Sequence, residues 1–229
     1  MKIIIIILAR KGSKRIKNKN LLPVNKKPLI LHTIEFAKKI TSRNRVILFS
    51  DDEKIINIGR KKGVYTSIQR PKKISTDNVS SAKTSLYALK KYNEKNKSKF
   101  DIVALLQPTT PYRKISTFKN CLREFKKNIN IPLVSVAKIK KNISKDFKLY
   151  CLRKIANQST NLNIRKKIKF ETNNYFNFVN GSFYFTTYKI LKNKKNFITN
   201  NFRGYNLTSS KENIDIDTWD DVKLAKKIL

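Results

Sequence analysis

Hydrophobic residues in this chain follow two rhythms. Ile3-Ile4-Ile5-Ile6-Ile7-Leu8 is an unbroken apolar run, as expected of a strand covered on both faces. Shorter runs at 45–50, 100–106 and 132–137 predict three further strands. Between them apolar residues return every three or four positions. Leu29, Ile30, Thr33, Ile34, Ala37 and Ile40 mark a helix over 28–40, with Pro28 at its start. A second helix is predicted over 52–62, with acidic residues in its first turn and Gly63 as its stop. Leu86, Leu89 and Tyr92 place a third over 81–93, and Phe118, Cys121, Leu122 and Phe125 mark a fourth. Strand and helix alternate, which predicts an α/β fold with a mostly parallel sheet flanked by helices.

The rhythm degrades over 138–178, where mixed runs such as Phe147-Lys148-Leu149-Tyr150-Cys151-Leu152 alternate with Asn- and Lys-rich turns. This reads as a small β-rich excursion from the main sheet. A turn and an aromatic strand follow over 179–185. Asn213-Ile214-Asp215-Ile216-Asp217 alternates strictly, as a half-buried strand does. Thr218-Trp219-Asp220-Asp221 resembles a capping box opening a helix that runs to Leu229. The length of 229 residues suits one domain spanning 1–229, with 138–178 inside it.

Charge changes this picture less than its size suggests. With 52 Lys and Arg against 15 Asp and Glu, the formal net charge is +37. Such a surplus raises the possibility of a nucleic-acid or membrane partner. Lysine is spread over every helix and loop, however, in pairs such as Lys26-Lys27, Lys61-Lys62 and Lys226-Lys227. The reading is a lysine-biased surface with no specific nucleic-acid partner, whose field still speeds anionic substrates. Cys121 and Cys151 lack metal-type spacing and read as free thiols. Residues 3–8 are too short to span a bilayer and lack a cleavage-site pattern, so no membrane partner and a cytoplasmic location are expected. His32 has no nucleophile or metal cluster beside it in the sequence and reads as structural or exposed.

Two stretches are candidates for chemistry. In 10–20, Gly12 and Ser13 let backbone approach a phosphate, and Arg10, Lys14 and Lys19 add positive charge. The spacing matches neither the Walker loop nor the dinucleotide fingerprint. In 213–217, Asp215 and Asp217 share one face of an extended segment. Like charges so placed call for a cation, and Mg²⁺ suits carboxylates with nucleotide phosphates. Plain solvent-facing alternation, with Asp217 ahead of the helix cap, accounts for them equally well. Polar loops at 107–113 and 180–184 fall at predicted strand ends, where open α/β sheets bind ligands.

Together these stretches resemble the acylneuraminate cytidylyltransferase family, the CMP-N-acetylneuraminic acid synthetases. The opening motif stands as Ala9-Arg10-Lys11-Gly12-Ser13-Lys14-Arg15-Ile16-Lys17-Asn18-Lys19-Asn20, and the second as Leu106-Gln107-Pro108-Thr109-Thr110-Pro111-Tyr112-Arg113. Asn180-Gly181-Ser182-Phe183-Tyr184 and Asp215-Ile216-Asp217-Thr218 follow in the family's order. The resemblance implies a Rossmann-like fold of the nucleotide-diphospho-sugar transferase type, with the 138–178 excursion serving dimerisation and sugar contact. It implies transfer of CMP from CTP to a nine-carbon, sialic-type nonulosonic acid, with pyrophosphate released. Ala9, Arg10, Gly12, Ser13, Lys19, Asn20, Arg70, Asp77 and Ser81 fall at nucleotide positions, and Gln107, Lys145, Asn180 and Tyr184 at sugar-acid positions. Arg10, Lys19, Asp215 and Asp217 would carry catalysis, the two aspartates holding Mg²⁺. A homodimer with shared sites is the expected assembly.

The chain departs from the family before Asn180. Arginines that meet the sugar carboxylate are usual there, whereas this chain has Phe170-Glu171-Thr172-Asn173-Asn174-Tyr175-Phe176-Asn177-Phe178, with Arg165 and Lys169 out of register. Pseudaminic, legionaminic or Kdo-type acceptors are the alternatives within the fold, and a basic nucleic-acid-binding protein is the alternative outside it. Lys11, Arg15 and Lys17 read as background.

Overall fold

The apolar run at the start forms β1 (Ile3–Ala9) in the computed structural model, which describes residues 1–66, 69–76 and 78–228. The loop after it carries a small hairpin, β2 (Pro23–Val24) with β3 (Lys27–Pro28), and leads into α1 (Leu29–Ile40). β4 (Val46–Ser50), α2 (Glu53–Lys61), α3 (Ser81–Asn96), β5 (Ile102–Leu105) and α4 (Ile115–Lys127) continue the predicted alternation. Asp52 caps α2 by accepting from the Lys54 amide, as its place before that helix suggests. β6 (Leu133–Lys140), α5 (Lys145–Ser159), α6 (Leu162–Lys167), β7 (Tyr175–Thr186), α7 (Tyr188–Lys194), β8 (Arg203–Leu207) and α8 (Trp219–Lys227) complete the chain.

The six-stranded sheet has the order β4-β1-β5-β7-β6-β8. β1 is parallel to β4 and β5, and β6 to β8, while β7 runs antiparallel to both its neighbours. Both faces are covered. Ile3, Ile5 and Ile7 pack with Ile30 and Ile34 of α1 and with Phe118, Phe125, Phe183 and Phe185. Ile4 and Ile6 pack on the opposite face with Ala88, Leu89 and Tyr92 of α3. Each isoleucine so buried contributes about 1.5–3 kcal/mol. Among the described residues no helix is long and apolar enough to cross a membrane.

The excursion differs from its prediction. β6 and β7 do extend together, from Lys138 opposite Asn177 to Lys140 opposite Tyr175, but helices α5 and α6 lie between them. Phe147, Tyr150, Cys151 and Lys154 are the buried residues of α5, while Leu149 and Leu152 are exposed. That spacing is helical. A lysine in the buried stripe disguised it as an irregular stretch. The segment 213–217 also differs. It alternates as expected, with Ile214 and Ile216 buried, but it joins no sheet; the Ile216 amide donates to Thr109 O at 2.7 Å. β8 was not predicted, because its burial alternates over residues of which only Leu207 is a strong apolar signal.

Three polar residues, the half-buried Arg113 and the buried Asn180 and Glu212, hold the loops at the C-terminal edge of the sheet. Arg113 donates to Gln107 O at 2.6 Å, to Thr110 O, to Ser182 O at 3.1 Å and to Thr33 Oγ1 at 3.0 Å. Burial pulls its pKa down to about 9 against the opposing pull of Asp215 and Glu212, so the guanidinium stays charged at neutral pH. The Asn180 side chain accepts from Ser135 Oγ at 2.5 Å and Ser182 N at 3.1 Å, and donates to Asn213 Oδ1. Glu212 accepts from Lys114 N at 2.9 Å and Thr117 Oγ1 at 3.1 Å, satisfying donors at the start of α4. Gly181 sits at φ +79°, and a Cβ there would lie 2.7 Å from Gln107 Oε1 and 3.2 Å from Thr110 Oγ1.

Gly181→Ala is therefore expected to lose about 1–3 kcal/mol through backbone strain and to push Gln107 aside. Glu212→Ala should lose about 1–3 kcal/mol by removing the buried acceptor that ties the start of α4 to the 213–217 segment. Urea unfolding midpoints check both. A wild-type midpoint for either variant would contradict the role given to that residue.

Candidate active site

The loops so held surround a cavity of about 490 Å³ at the C-terminal edge of β1 and β5. β1 ends into Arg10, Ser13, Lys14, Arg15, Lys19 and Asn20, all on the wall. Asn20 shapes this loop by donating to Arg10 O at 3.0 Å, at the 3₁₀ turn Lys19–Leu21. The segment after β4 brings Arg70, whose amide donates to Ser50 O at 2.8 Å and whose side chain is fixed on Ile74 O. Burial lowers the Arg70 pKa, Asp51 works against that shift, and Arg10 adds to it. Ser81 of α3, Gln107 after β5 and Asp217 ahead of α8 complete the predicted residues on the wall. The Gln107 amide donates to Tyr184 Oη at 3.3 Å, and burial pushes that phenol above its ordinary range.

Other expected residues stand elsewhere. Ala9 is buried in the core at the end of β1, and Gly12 is exposed with open space around it. Asn180 is an internal tie, not a wall residue. Lys145 is exposed at the start of α5, and Arg165 and Lys169 are exposed beyond it. Asp77 lies outside the described residues. The cavity also recruits Thr76 and Thr84, which no pattern in the sequence marked, and Thr109 of the 107–113 loop. Arg15, read as background, lines the cavity with a guanidinium nitrogen 3.9 Å from Asp217 Oδ2. Its place in the same loop as Arg10 and Lys19 was the available signal.

Asp215 and Asp217 do meet, but around a lysine. Lys154 Nζ donates to Asp215 Oδ2 and to Asp217 Oδ2, each at 2.9 Å, and stands 3.8 Å from Asp221 Oδ2. Lys19 Nζ holds Asp217 Oδ1 at 2.8 Å, so the first loop and the carboxylates form one network. α5 supplies more of it. Tyr150 Oη accepts from the Asp215 amide at 2.8 Å and donates to Asn213 O at 2.6 Å. Arg153 binds Asp221, Asp220 and the Thr218 hydroxyl. Asp221 closes the capping box of α8.

Burial disfavours the charged form of Asp217, but Lys154 and Lys19 outweigh it and hold the carboxyl below its ordinary range. Asp215 is raised, because burial and Asp217 together exceed the pull of Lys154. Burial also works against the Lys154 ammonium, yet Asp215, Asp217 and Asp221 hold its pKa above the ordinary value.

The pair does not fit a resident Mg²⁺ as it stands. That ion needs six oxygen ligands in near-octahedral array. Three of the four carboxylate oxygens already accept from ammonium groups, and Asp215 Oδ1, the one without a well-formed hydrogen bond, is buried. Among the described residues no group of three or more His, Cys, Asp or Glu could hold a metal. The cysteines stand apart, buried and with burial pushing both thiols up, Cys151 to about 12. Arg10, Lys14, Arg15, Lys19 and Arg70 converge on the cavity, and Asp217 is the one acid among its described wall residues. Such a wall is built to hold and neutralise a polyanion.

The sequence profile described as "Cytidylyltransferase" matches residues 4–218. The CMP-N,N'-diacetyllegionaminic acid synthase of Legionella pneumophila is 32% identical over 235 residues, an alignment covering 100% of this chain and 97% of that protein. The N-acylneuraminate cytidylyltransferase of Escherichia coli is 39% identical over 112 residues, 49% of this chain and 25% of that protein. The pseudaminic acid cytidylyltransferase of Campylobacter jejuni is 35% identical over 128 residues, 56% of this chain and 55% of that protein. In structure, a CMP:2-keto-3-deoxy-manno-octonic acid synthetase complexed with CTP shares the fold with a TM-score of 0.69 at 17% identity, covering 100% of this chain and 98% of that one. The chain belongs to the cytidylyltransferase family, a family of nucleotidyltransferases.

Proposed function

We propose that this protein transfers CMP from CTP to a hydroxyl of a sialic-type nonulosonic acid and releases pyrophosphate. The observation that carries the reading is the convergence of Arg10, Lys14, Arg15, Lys19 and Arg70 on a cavity that also presents Gln107. The cations suit a triphosphate. The Gln107 amide, backed by Tyr184, suits a hydroxyl-rich acceptor. The acceptor oxygen attacks the α-phosphorus, its new P–O bond forms, and the bond to pyrophosphate breaks in line. The hydroxyl proton leaves to solvent or phosphate. Arg10, Lys14 and Lys19 neutralise charge that grows on the departing pyrophosphate, which is the electrostatic part of the rate enhancement. The divalent ion that such chemistry employs is expected to travel on the triphosphate. A legionaminic-type acid heads the acceptors to test, since the relative aligned over nearly both full chains carries that name. Kdo remains on the panel through relatives aligned over part of the chain.

Pyrophosphate release should appear with CTP, Mg²⁺ and at least one acid from a panel of sialic, legionaminic, pseudaminic and Kdo sugars, and should fall away with UTP or ATP. No turnover with any member would overturn the reading. Lys19→Met should lower kcat/KM for CTP by about 10²-fold or more, whereas a variant of near-normal efficiency would remove Lys19 from the reaction.

A homodimer working in the cytoplasm, without a nucleic-acid partner, completes the proposal. Leu149 and Leu152 on α5 and Trp219 on α8 are among the few exposed large hydrophobic side chains, with Leu149 52% and Trp219 55% exposed. Exposed apolar side chains on two helices that pack together suit a second copy of the chain. Light scattering should give twice the chain mass, and Leu149→Glu combined with Trp219→Asp should give one chain mass. A monomeric wild-type protein would sink the dimer while leaving the reaction untouched.

A further inference from the structure

α5 approaches the carboxylates with Tyr150, Arg153 and Lys154, residues that share one helical face. Lys154 reaches furthest. Its side chain is only 4% exposed, and its Nζ contacts all three of Asp215, Asp217 and Asp221. A buried ammonium is costly unless it is paired and hydrogen-bonded, and here it is both. Its position is also the one that would bring a cation into contact with both Asp215 Oδ2 and Asp217 Oδ2.

A second, smaller cavity of about 280 Å³ meets the first at Arg15 and Asp217 and is lined by Arg153, Lys154 and Asp221. A divalent ion entering either cavity would share it with Arg15, and with Lys19 in the first or Arg153 in the second. It would then have to displace an ammonium already hydrogen-bonded to both aspartates. Like charge at such distances opposes entry strongly.

We propose that Lys154 is the resident cation of the Asp215–Asp217 pair, built into the chain in place of a divalent ion, so that the free protein takes no divalent cation at these carboxylates. Lys154 is then a positioning residue. It holds Asp217 so that its other oxygen faces Lys19 and the cavity. The inference concerns the free protein and needs no turnover, so its failure and that of the proposed reaction are separately visible.

Mn²⁺ titration of the full-length, nucleotide-free protein, followed by loss of the free-ion paramagnetic resonance signal, tests it. The wild-type protein should bind no Mn²⁺ that Asp217→Asn removes. Lys154→Met should gain one Mn²⁺ per chain, bound at least roughly tenfold tighter than any wild-type binding, and Lys154→Met combined with Asp217→Asn should lose it. Should circular dichroism show the methionine variant unfolded, Lys154→Gln keeps a hydrogen-bonding head without the charge. Stoichiometric Mn²⁺ on the wild-type protein that Asp217→Asn abolishes would overturn the proposal. So would a folded Lys154 variant that gains no site.

Discussion

Charge compensation at Asp217 is the interaction on which the site depends. One carboxylate accepts from Lys19 of the first loop and from Lys154 of α5, so the two ends of the chain and its middle meet at a single residue. Neither lysine is interchangeable with the many on the surface. An exposed pair of this kind is worth about 0–1 kcal/mol. Removing one partner of a buried pair costs about 3–5 kcal/mol, because the other charge is left uncompensated; the buried Lys154 stands nearer that limit than the half-buried Lys19. The same network secures the capping box of α8 through Asp221 and Arg153, so local helix chemistry and site geometry share their parts.

The large positive charge acquires a clearer meaning beside this cluster. Most of the 52 Lys and Arg residues contribute a diffuse field that salt screens within about 8–10 Å. The cations of the cavity act at contact distance inside a concave wall, where screening is weaker. Net charge therefore governs how fast an anion arrives, and the wall governs where it rests. The loop geometry that makes this possible rests on groups tied to backbone: Asn20 on the Arg10 carbonyl, Arg113 on three backbone carbonyls, and a glycine where Gln107 must pass closely.

Much of this was legible from the chain. Ile3–Leu8 announces a strand because both faces of β1 are covered, and α1 announces itself because one stripe is buried and the other is not. The cation-rich loop after β1 and the shared face of Asp215 and Asp217 could be read from residue type and period. What escaped the sequence escaped for physical reasons. Lys154 is polar and buried, so it broke the apolar period of the helix that carries it and hid both that helix and its own role. Arg15 was lost against a background of similar side chains. Asn180 looked like a ligand contact because its amide is as able to bind a sugar as to bind Ser135, Ser182 and Asn213, and only the fold decides which. Lys145 fell near the right stretch but on the solvent side of α5.

The one strand that runs antiparallel to the rest of the six-stranded sheet, β7, has a consequence for how the chain assembles. Both neighbours of β6 in the sheet, β7 and β8, follow it in sequence. As the chain is made, β4, β1 and β5 can pair early through crossovers that are already complete. β6 then emerges with no strand to join. It must wait for β7, which closes the exposed edge of β5 on one side and receives β6 on the other. Until β7 emerges, the apolar edge at Ile102–Leu105 is open to pairing with another nascent chain. The aromatic strand Tyr175–Thr186 is thus the keystone of synthesis as well as of the sheet: a chain cut short before it would retain the cation-rich loop but leave β6 without a partner and one edge of β5 open.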